Sequence, residues 1–301
     1  MLEYLDMNLN YNLKIRDAEA QPLSGLYIVP TPIGNLRDIT LRAIDILTSA
    51  NIVACEDTRI TRRLLDAYNL RPRMIAYHEH NASRQRPRIL EKLASGNIVC
   101  LVCDSGTPLI SDPGYKLVQA ATQAGYHVTA LPGASAVLTG ILASGLPTNR
   151  FLFAGFPPPR AHARRRFLTE FVSCPASLIF FESPKRLTAS IEDMWSVFGE
   201  RQAAVARELT KRFEEIQRSD LSSLAKDFKN KSVLKGEIVV IIGPPLPRIV
   251  TDSQVDKALN AKLKKTGVKE ASSAVSKALG LPRRSVYRRA LELKDKEIKE
   301  I

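Results

Sequence analysis

The stretch IVCLVCDSGTPLISDPG, residues 98–114, decides the fold class of this chain. Its continuous apolar start, Ile98–Val102, predicts a strand that is buried on both faces of a parallel sheet. The loop that follows, Asp104–Gly114, contains two prolines, two glycines, hydroxyls and carboxylates. Open α/β sheets bind ligands at the carboxyl ends of their strands, and such a loop is stiff yet allows close backbone approach. We therefore expect an α/β protein that grips a small polar molecule here, although the same residue types are common in ordinary connections.

Alternating strand and helix signals extend from this stretch in both directions. Further strands are predicted at residues 26–29, 52–55, 74–77 and 127–131, and helices at 41–49, 59–68, 87–94, 115–124 and 135–143. Strands that alternate with helices form a parallel sheet. Residues 25–148 are thus expected to be one α/β domain, which ends at the turn Gly145–Thr148.

A second α/β domain is expected over residues 149–246. Its predicted strands are 151–154, 178–181, 203–206 and 238–242. One basic helix is predicted to extend through Arg166 and another to cover residues 187–197. The polar segment between the third of these strands and about residue 232 has no assigned element. The prolines after residue 243 stop the last strand from continuing into a helix. Residues 252–301 are expected to form a small, basic helical domain, and residues 1–24 a flexible polar arm.

Loops rich in proline and glycine follow three strands of the first domain. They are Thr31–Asn35, Asp104–Gly114 and Pro132–Ser135, and the second domain adds Glu182–Arg186 and Arg207–Lys211 just past two of its strands. Because the carboxyl ends of parallel strands share one edge, the two sets of loops would face each other across an interdomain cleft. The chain contains neither the glycine-rich dinucleotide fingerprint nor the Walker phosphate loop, which argues against nucleotide-driven chemistry.

The composition is that of a globular protein with a strong positive charge. Of 301 residues, 45% are hydrophobic, and no apolar run is long enough to span a bilayer, so we expect no membrane association and a cytoplasmic location. Cys100 and Cys103 are expected to be core thiols of a reducing compartment. The net charge is +13, and residues 251–301 contribute +6 of it, from 13 Lys and Arg against 7 Asp and Glu. This excess favours a polyanionic partner, although a charged surface can simply be solvated.

A helix-turn-helix pattern lies within the basic C-terminal segment. Residues 271–280 predict a helix that ends at Gly280, and a second, basic helix is expected to begin near Pro282. The cations of this second helix are expected to contact RNA phosphates; they are Arg283, Arg284, Arg288 and Arg289. The alternative is a solvated helical cap.

Nine motifs, in this order and spacing, resemble the tetrapyrrole methylase superfamily. They are TPIGNLRDIT (31–40), ACEDTR (54–59), YHEHN (77–81), DSGTPLISDPGY (104–115), LPGASA (131–136), ASGLP (143–147), ESPKR (182–186), ARELTK (206–211) and KGE (235–237). Pro30 and Ser105 are departures, at positions where the resemblance leads us to expect alanine. Within the superfamily, the chain is similar to the enzymes that methylate a cytidine ribose 2′-hydroxyl in the decoding region of 16S rRNA.

The resemblance implies that S-adenosylmethionine binds in the cleft between the two α/β domains of the tetrapyrrole methylase fold. The implied donor contacts are Pro32, Asp104, Gly106, Thr107, Ile110, Ser135 and Phe181. Asp104 has an alternative role as the cap of its own loop. The resemblance implies no metal. We expect 16S rRNA within the small ribosomal subunit as the partner, and a homodimer as the assembly.

A base would help transfer to a hydroxyl, and six side chains near predicted strand ends are candidates for it. They are Glu56, Asp57, His78, Glu79, His80 and Glu208, among which the sequence does not choose. His78 and His80 share one face of an extended segment, as metal ligands would, but no further ligand is evident. Cations near the cleft are expected to hold RNA phosphates, with structural ion pairs as the alternative; they are Arg37, Arg59, Arg164, Arg165, Arg166, Arg186 and Lys211.

Three function classes compete on this sequence. They are an rRNA 2′-O-methyltransferase, a methyltransferase for a tetrapyrrole or another small molecule, and a nucleic-acid-binding protein without catalysis. The first is favoured, because a small-molecule enzyme has no need of the basic C-terminal segment, and a non-catalytic protein has no need of three donor loops. The motifs show no aromatic cluster that would read a base edge, which favours methylation of the ribose.

Overall fold

The first half of the chain folds as a parallel sheet flanked by helices. The structure, a computed structural model, describes residues 22–230, 234–246 and 251–299, so most of the expected N-terminal arm lies outside the described residues. The strands are β1 (Gly25–Ile28), β2 (Ile52–Cys55), β3 (Arg73–Ala76), β4 (Ile98–Val102) and β5 (Val128–Ala130), in the spatial order β3-β2-β4-β1-β5. The helices are α1 (Leu41–Ser49), α2 (Thr58–Ala67), α3 (Ala82–Ala94), α4 (Tyr115–Gln123) and α5 (Ala136–Ser144). All strand pairs are parallel, as predicted, so every strand ends at the same edge.

The central strand β4 shows why the sheet is covered on both faces. Cys100 and Val102 belong to a core shared with α1 and α2, whereas Val99 and Leu101 belong to a core shared with α3 and α4. Successive side chains of a strand point to opposite faces, so a continuous apolar run needs an apolar partner layer on each side. Cys55, Cys100 and Cys103 are buried free thiols of this half.

The start of α3 differs from the prediction. The helix begins at Ala82, five residues before Pro87, which lies inside it. Proline is expected at the first helical position because it lacks an N–H group. Here Asn81 starts the helix instead, since its carbonyl oxygen accepts from Arg84 N and Gln85 N over 3.0 Å each.

The second half forms a mixed five-stranded sheet. Its strands are β6 (Phe151–Phe153), β7 (Ser177–Glu182), β8 (Gln202–Arg207), β9 (Glu215–Asp220) and β10 (Ile238–Ile242), in the order β6-β7-β10-β8-β9. Its helices are α6 (Ala161–Thr169), α7 (Leu187–Phe198) and α8 (Leu221–Lys229). Strand β10 runs antiparallel to both β7 and β8. The amino end of β10 therefore lies at the same edge as the carboxyl ends of β7 and β8. Strand β9 and helix α8 occupy the polar segment to which the sequence assigned no element.

Helix α5 joins the two sheets into one core. Its Val137 and Ile141 pack with Ala204, Val239 and Ile241 of the second sheet. Gly140 allows this approach, because an added β-carbon there would lie 3.1 Å from Val239 Cγ1. A helix that follows the last strand of one half thus covers the sheet of the other half.

The C-terminal residues form a separate compact unit of three helices. The chain divides into the units Met1–Pro245 and Leu246–Ile301. The second unit contains α9 (Asp252–Leu263), α10 (Val268–Leu279) and α11 (Arg283–Lys299), packed around Val255, Leu259, Val275, Val286 and Ala290. Helix α10 ends at Gly280, which has the left-handed φ of 67° that glycine adopts freely. Within the described residues, no helix combines the length and the apolar character needed to cross a bilayer.

Candidate active site

An open cavity of about 370 Å³ lies where the loop edges of the two sheets face each other. The first half contributes residues from the loops after β1, β4 and β5 and from the start of α5. They are Ile33, Ser105–Thr107, Ile110–Asp112 and Ser135–Val137. The second half contributes Phe156, Phe181–Pro184, Leu209 and Gly236–Val239. The cavity thus occupies the position that the sequence predicts for the cleft.

Hydrogen bonds tie the three loops of the first half together. Thr31 and Gly106 exchange two backbone hydrogen bonds, with N···O distances of 2.8 and 3.0 Å. Thr107 Oγ1 donates to the carbonyl oxygen of Ala134 over 2.8 Å, which links the second loop to the third. Leu109 and Ser111 have positive φ angles of 72° and 69°. Positive φ is strained for non-glycine residues, and such strain clusters at functional sites.

Five of the seven predicted donor contacts line this cavity. They are Gly106, Thr107, Ile110, Ser135 and Phe181. Pro32 and Asp104 do not line it. Asp104 Oδ1 instead accepts from the backbone N–H of Asp57 over 3.0 Å, so its carboxylate fastens the loop after β4 to the loop after β2. Burial, together with the charge of Asp57, raises the pKa of Asp104.

Glu182 organises the loop that follows β7. Its side chain is fully buried and accepts hydrogen bonds from Ser183 N at 2.7 Å and from Arg186 Nε at 2.8 Å. The hydroxyl of Ser190 donates to its second oxygen. These contacts satisfy a buried carboxylate, which would otherwise be costly, and they fix the cavity wall formed by Ser183 and Pro184.

A cluster around Lys211 forms the rim of the second half. The Lys211 ammonium donates to Glu208 Oε1 over 2.8 Å and to Glu237 Oε2 over 3.0 Å. Glu208 has a positive φ of 53°, and a β-carbon on Gly236 would clash with its carboxyl group. With two carboxylates and one ammonium, the cluster has a formal charge of −1. The Lys211 ammonium is therefore less available to a phosphate than the sequence suggests. Glu237, whose side chain is 68% exposed, lines the cavity and was not among the predicted residues.

The six predicted base candidates do not line the cavity in the described part of the chain. Glu56 and Asp57 follow β2, and His78, Glu79 and His80 follow β3, at the far side of the parallel sheet from β5. Asp57 caps α2 and pairs with Arg59, whose hydrogen bond lowers the pKa of Asp57 to about 2. The hydrogen bond from Lys211 likewise lowers the pKa of Glu208.

The two histidines have local partners. The His78 and His80 rings meet edge to face, with 6.0 Å between centroids, and His78 Nε2 lies 3.1 Å from Asn81 Nδ2. Within the described residues, no group of three or more His, Cys, Asp or Glu side chains is arranged to hold a metal ion.

The charged residues that line the cavity are acidic. They are Asp112, Glu182 and Glu237, and the described lining includes no lysine or arginine. Burial raises the pKa of Asp112, because a carboxylate is less stable where water is partly excluded. Because Glu182 is compensated by its ion pair with Arg186, the negative charge of the wall comes from Asp112 and Glu237. Such a wall suits a ligand with positive charge better than a free nucleotide phosphate.

The prediction that Arg164 contacts RNA is wrong. Its side chain is only 4% exposed, and its Nε donates to Asp193 Oδ2 over 2.7 Å. Its Nη1 also donates to the carbonyl oxygen of Pro159 over 3.0 Å. Arg164 therefore supports the loop after β6 from inside the protein.

The other predicted RNA cations of the first unit differ in their availability. Arg186 is paired with Glu182, Arg165 is half-exposed and paired with Asp193, and Arg59 is exposed and paired with Asp57. Arg37 and Arg166 are exposed, and neither has a side-chain partner among the described residues. These two remain the freest cations of the set.

In the C-terminal unit, the predicted cations fall into two groups. Arg289 is fixed by a two-bond contact with Asp256, at 2.7 Å for each bond, and by Glu292. Arg283 and Arg284, near the start of α11, line a surface depression with Lys269 and Tyr287. Arg288 is exposed. Lys269 was not among the predicted residues. It lies in the first turn of α10, which begins at Val268, and it lines the same depression as Arg283 and Arg284.

The fold and the cavity define a two-sheet α/β enzyme whose ligand site lies between its halves. The chain belongs to the tetrapyrrole methylase family: residues 25–225 match the family described as Tetrapyrrole (Corrin/Porphyrin) Methylases. Residues 250–294 match the family described as RsmI C-terminal HTH domain. Membership makes the chain a methyltransferase, as the sequence motifs predict.

Two curated relatives extend over nearly the whole chain. A protein of Mesorhizobium japonicum named ribosomal RNA small subunit methyltransferase I is 48% identical over 278 residues, which is 92% of this chain and 95% of the relative. A protein of the same name from Micromonospora olivasterospora is 43% identical over 278 residues, which is 90% of this chain and 88% of the relative.

A solved structure shares the fold. Uroporphyrin-III C-methyl transferase from Thermus thermophilus, complexed with S-adenyl homocysteine, has a TM-score of 0.50 and 17% identity. The match covers 72% of this chain and 96% of that one.

Proposed function

We propose that this protein transfers a methyl group from S-adenosylmethionine to the 2′-oxygen of a cytidine in 16S rRNA of the small ribosomal subunit. The observation that carries the proposal is the acidic cavity at the junction of the two sheets, in a chain whose full-length relatives are named as small-subunit rRNA methyltransferases. We further propose that it acts as a homodimer in the cytoplasm.

The cavity fits the methyl donor in size and charge. Its volume of about 370 Å³ falls in the range of small-molecule sites. S-adenosylmethionine supplies an electrophilic methyl group on a sulfonium, and it also carries an ammonium group. Asp112 offers its carboxylate to these positive charges, while Gly106, Thr107, Ile110 and Ser135 offer backbone and hydroxyl groups to the polar ends. Asp104 acts indirectly, by fixing the loop.

Glu237 is the carboxylate placed to accept the proton of the acceptor hydroxyl. It lines the cavity, and its side chain is 68% exposed. Lys211 Nζ donates to Glu237 Oε2 over 3.0 Å, which fixes the orientation of the carboxylate. Glu208, a candidate from the sequence, is turned to the same ammonium and is only 19% exposed. In this assignment Glu208 positions Lys211, and Glu237 takes up the proton.

A variant pair tests this assignment. We expect Glu237→Gln to lower kcat about 10²–10⁴-fold, the usual contribution of a general base, while the Kd for S-adenosylmethionine changes little. Glu200→Gln is the matched control, since Glu200 is exposed and contacts Trp195 outside the cavity. Weaker donor binding with an unchanged kcat would assign Glu237 to the donor instead.

The acceptor is proposed to be RNA because both units carry exposed cations, and the described lining of the cavity includes none of them. Arg37 and Arg166 of the first unit are exposed and do not line the cavity, so they can meet a large polyanion. Arg283 and Arg284 of the C-terminal unit are exposed as well. If the methyl acceptor were a tetrapyrrole, these exposed arginines would have no role in binding it. This contrast separates the proposal from that of a small-molecule methyltransferase on the same fold.

Methyl transfer to three acceptors tests the proposal. The full-length protein and S-adenosylmethionine labelled in its methyl group are incubated with unmodified small ribosomal subunits, free 16S rRNA or uroporphyrinogen. We expect label in 16S rRNA, and alkaline hydrolysis should leave it in a resistant dinucleotide, because a 2′-O-methyl group blocks cleavage. Label in mononucleotides would mean base methylation, and label in uroporphyrinogen alone would refute an RNA acceptor.

A further inference from the structure

Phe156 is a large apolar side chain that remains exposed at the wall of the cavity. It lies in the turn after β6, lines the cavity, and is 55% exposed. An exposed aromatic side chain is unremarkable when it stands alone on a surface. Phe156 instead borders the cavity beside residues of the donor loops, where a bound ligand would meet its exposed ring.

The turn that carries Phe156 is held from behind by two buried or half-buried arginines. Arg164 Nη1 donates to the Pro159 carbonyl oxygen over 3.0 Å, and Arg186 Nη2 donates to the Pro157 carbonyl oxygen over 2.7 Å. Both arginines are themselves anchored by ion pairs, with Asp193 and Glu182 respectively. The backbone around Phe156 is therefore fixed by the interior of the protein.

The residues next to Phe156 stiffen the turn further. Three prolines follow it, at 157–159, and each fixes its own φ angle. Gly155 precedes it with a φ of 70°, and its carbonyl oxygen accepts from Phe181 N over 3.0 Å. A ring on such a backbone loses little conformational entropy when a ligand binds to it.

Phe156 also belongs to an aromatic cluster that the motifs did not show. Its ring meets Phe181 edge to face, with 5.4 Å between centroids and 61° between planes. Phe181 in turn meets Phe153 at 4.7 Å. These contacts set the orientation of the Phe156 ring and still leave more than half of the side chain exposed.

We propose that Phe156 is a stacking platform for a nucleobase at this cavity. The inference rests on the proposed function, which brings two nucleobases to the site: the adenine of the methyl donor and the base of the acceptor nucleotide. Stacking on an aromatic side chain accepts any base, because each base has a π face. A base in single-stranded RNA that is splayed out of its stack loses its neighbour, and an aromatic ring of the protein replaces that neighbour.

The test uses three variants of Phe156 in the full-length protein. Phe156→Leu removes the ring but keeps an apolar side chain of similar size, Phe156→Tyr keeps the ring, and Phe156→Ala removes both. Phe213→Ala is the control, because Phe213 is 66% exposed but does not line the cavity. The measurements are the Kd for S-adenosylhomocysteine by calorimetry, and kcat and KM for unmodified small ribosomal subunits.

We expect Phe156→Leu and Phe156→Ala to weaken one of these interactions about 5- to 150-fold, with Phe156→Tyr close to wild type. A weaker Kd for S-adenosylhomocysteine assigns the platform to the donor adenine. A loss of kcat/KM for subunits with an unchanged Kd assigns it to the acceptor base. If Phe156→Leu matches wild type within two-fold in both measurements, the platform does not exist, whatever Phe156→Ala does.

Failure of this inference and failure of the proposed function give different results. If the wild-type protein transfers no methyl group to rRNA, the proposed acceptor is wrong, and the calorimetric measurement still tests the platform. If wild type and Phe156→Leu methylate subunits equally and bind S-adenosylhomocysteine equally, the function stands and the platform is refuted. Thermal melting of each variant ensures that only folded protein is compared.

Discussion

Lys211 of the second half packs directly against Gly34 of the first half, so closely that an added β-carbon on Gly34 would clash with Lys211 Cγ. The glycine thus makes room for the residue that holds Glu208 and Glu237. We expect Gly34→Ala to lower the free energy of unfolding by about 1–3 kcal/mol, as overpacking does. Because the shortest approach is to Lys211 Cγ, with Thr210 Oγ1 and Leu209 O further away, combining it with Lys211→Ala should recover part of this loss in urea unfolding.

Gly267→Ala is the control for that experiment. An added β-carbon on Gly267 would meet no heavy atom within 4 Å, so this variant should show no overpacking and should lose only the preference of the α10 N-cap for glycine over alanine, about 0.5–1 kcal/mol. Additive effects of Gly34→Ala and Lys211→Ala would show that the two side chains do not interact.

Asp112→Asn is expected to stabilise the fold and weaken donor binding. Burial raises the pKa of Asp112, so its charged form costs free energy in the folded protein, and removal of the charge relieves that cost. We expect a higher melting temperature and a Kd for S-adenosylmethionine that is about ten-fold weaker, since the proposed function assigns the charge of Asp112 to the positive groups of the donor. A lower melting temperature with unchanged affinity would contradict both parts.

Arg164→Met is expected to destabilise the protein rather than reduce RNA affinity selectively. Removing one member of a buried ion pair typically costs about 3–5 kcal/mol, because the remaining charge is left poorly compensated. Asp193, the partner, has a side chain that is 9% exposed. In thermal melting, the exposed Arg166→Met variant should resemble wild type, while its RNA affinity falls. Equal melting temperatures for the two variants would contradict the structural role of Arg164.

Arg283→Ala combined with Arg284→Ala should reduce the salt dependence of RNA binding. Each phosphate interaction that is removed lowers the slope of log Kd against log salt by about 0.7–0.9, so the removal of two lowers it by about 1.4–1.8. Arg289→Ala should instead destabilise the C-terminal unit, since Arg289 is bound to Asp256. Filter binding over a range of KCl concentrations measures the slope. An unchanged slope would mean that Arg283 and Arg284 do not contact RNA phosphates, and it would support the alternative that the C-terminal unit is a solvated helical cap.

Glu208→Gln should make the free energy of unfolding less dependent on pH under acidic conditions. The hydrogen bond from Lys211 lowers the pKa of Glu208 in the folded state. A lowered carboxyl pKa contributes stability above the unfolded pKa of about 4.3, and this is lost as the pH falls through the folded value. The free energy of unfolding should therefore fall less between about pH 5 and pH 3 in the variant than in wild type. The exposed Glu192→Gln should follow wild type.

The sequence predicts the strongly apolar elements well and the polar ones poorly. Strand β4 and helix α1 begin and end where the apolar pattern places them, because burial on two faces leaves a continuous apolar run and burial on one face leaves a clear period. Strand β9 was missed, since none of its residues is fully buried and its sequence, EIQRSD, has no apolar run. The antiparallel direction of β10 was not predicted either, because the apolar pattern of a strand does not depend on the direction in which the strand runs.

The candidate site shows the same limit. The sequence located the loops of the cavity, because proline, glycine and hydroxyl residues after a strand are local signals. It did not locate Glu237 or Phe156, whose importance depends on residues far away in the chain. It also treated Arg164 as a surface cation, since charge alone does not reveal that Asp193 and two prolyl carbonyl groups surround it.

Helix α5 has a consequence for how this architecture can be divided. Its Val137 and Ile141 are buried against strands that belong to the following half of the chain, and Arg218 of β9 donates to the Ala143 carbonyl oxygen over 3.1 Å. A fragment cut at the boundary near residue 148 would leave α5 with its apolar face in water and the second sheet without a cover. The two halves are therefore not interchangeable modules. A recombinant of two homologues that is joined at that boundary should fold only when α5 and the second sheet come from the same parent.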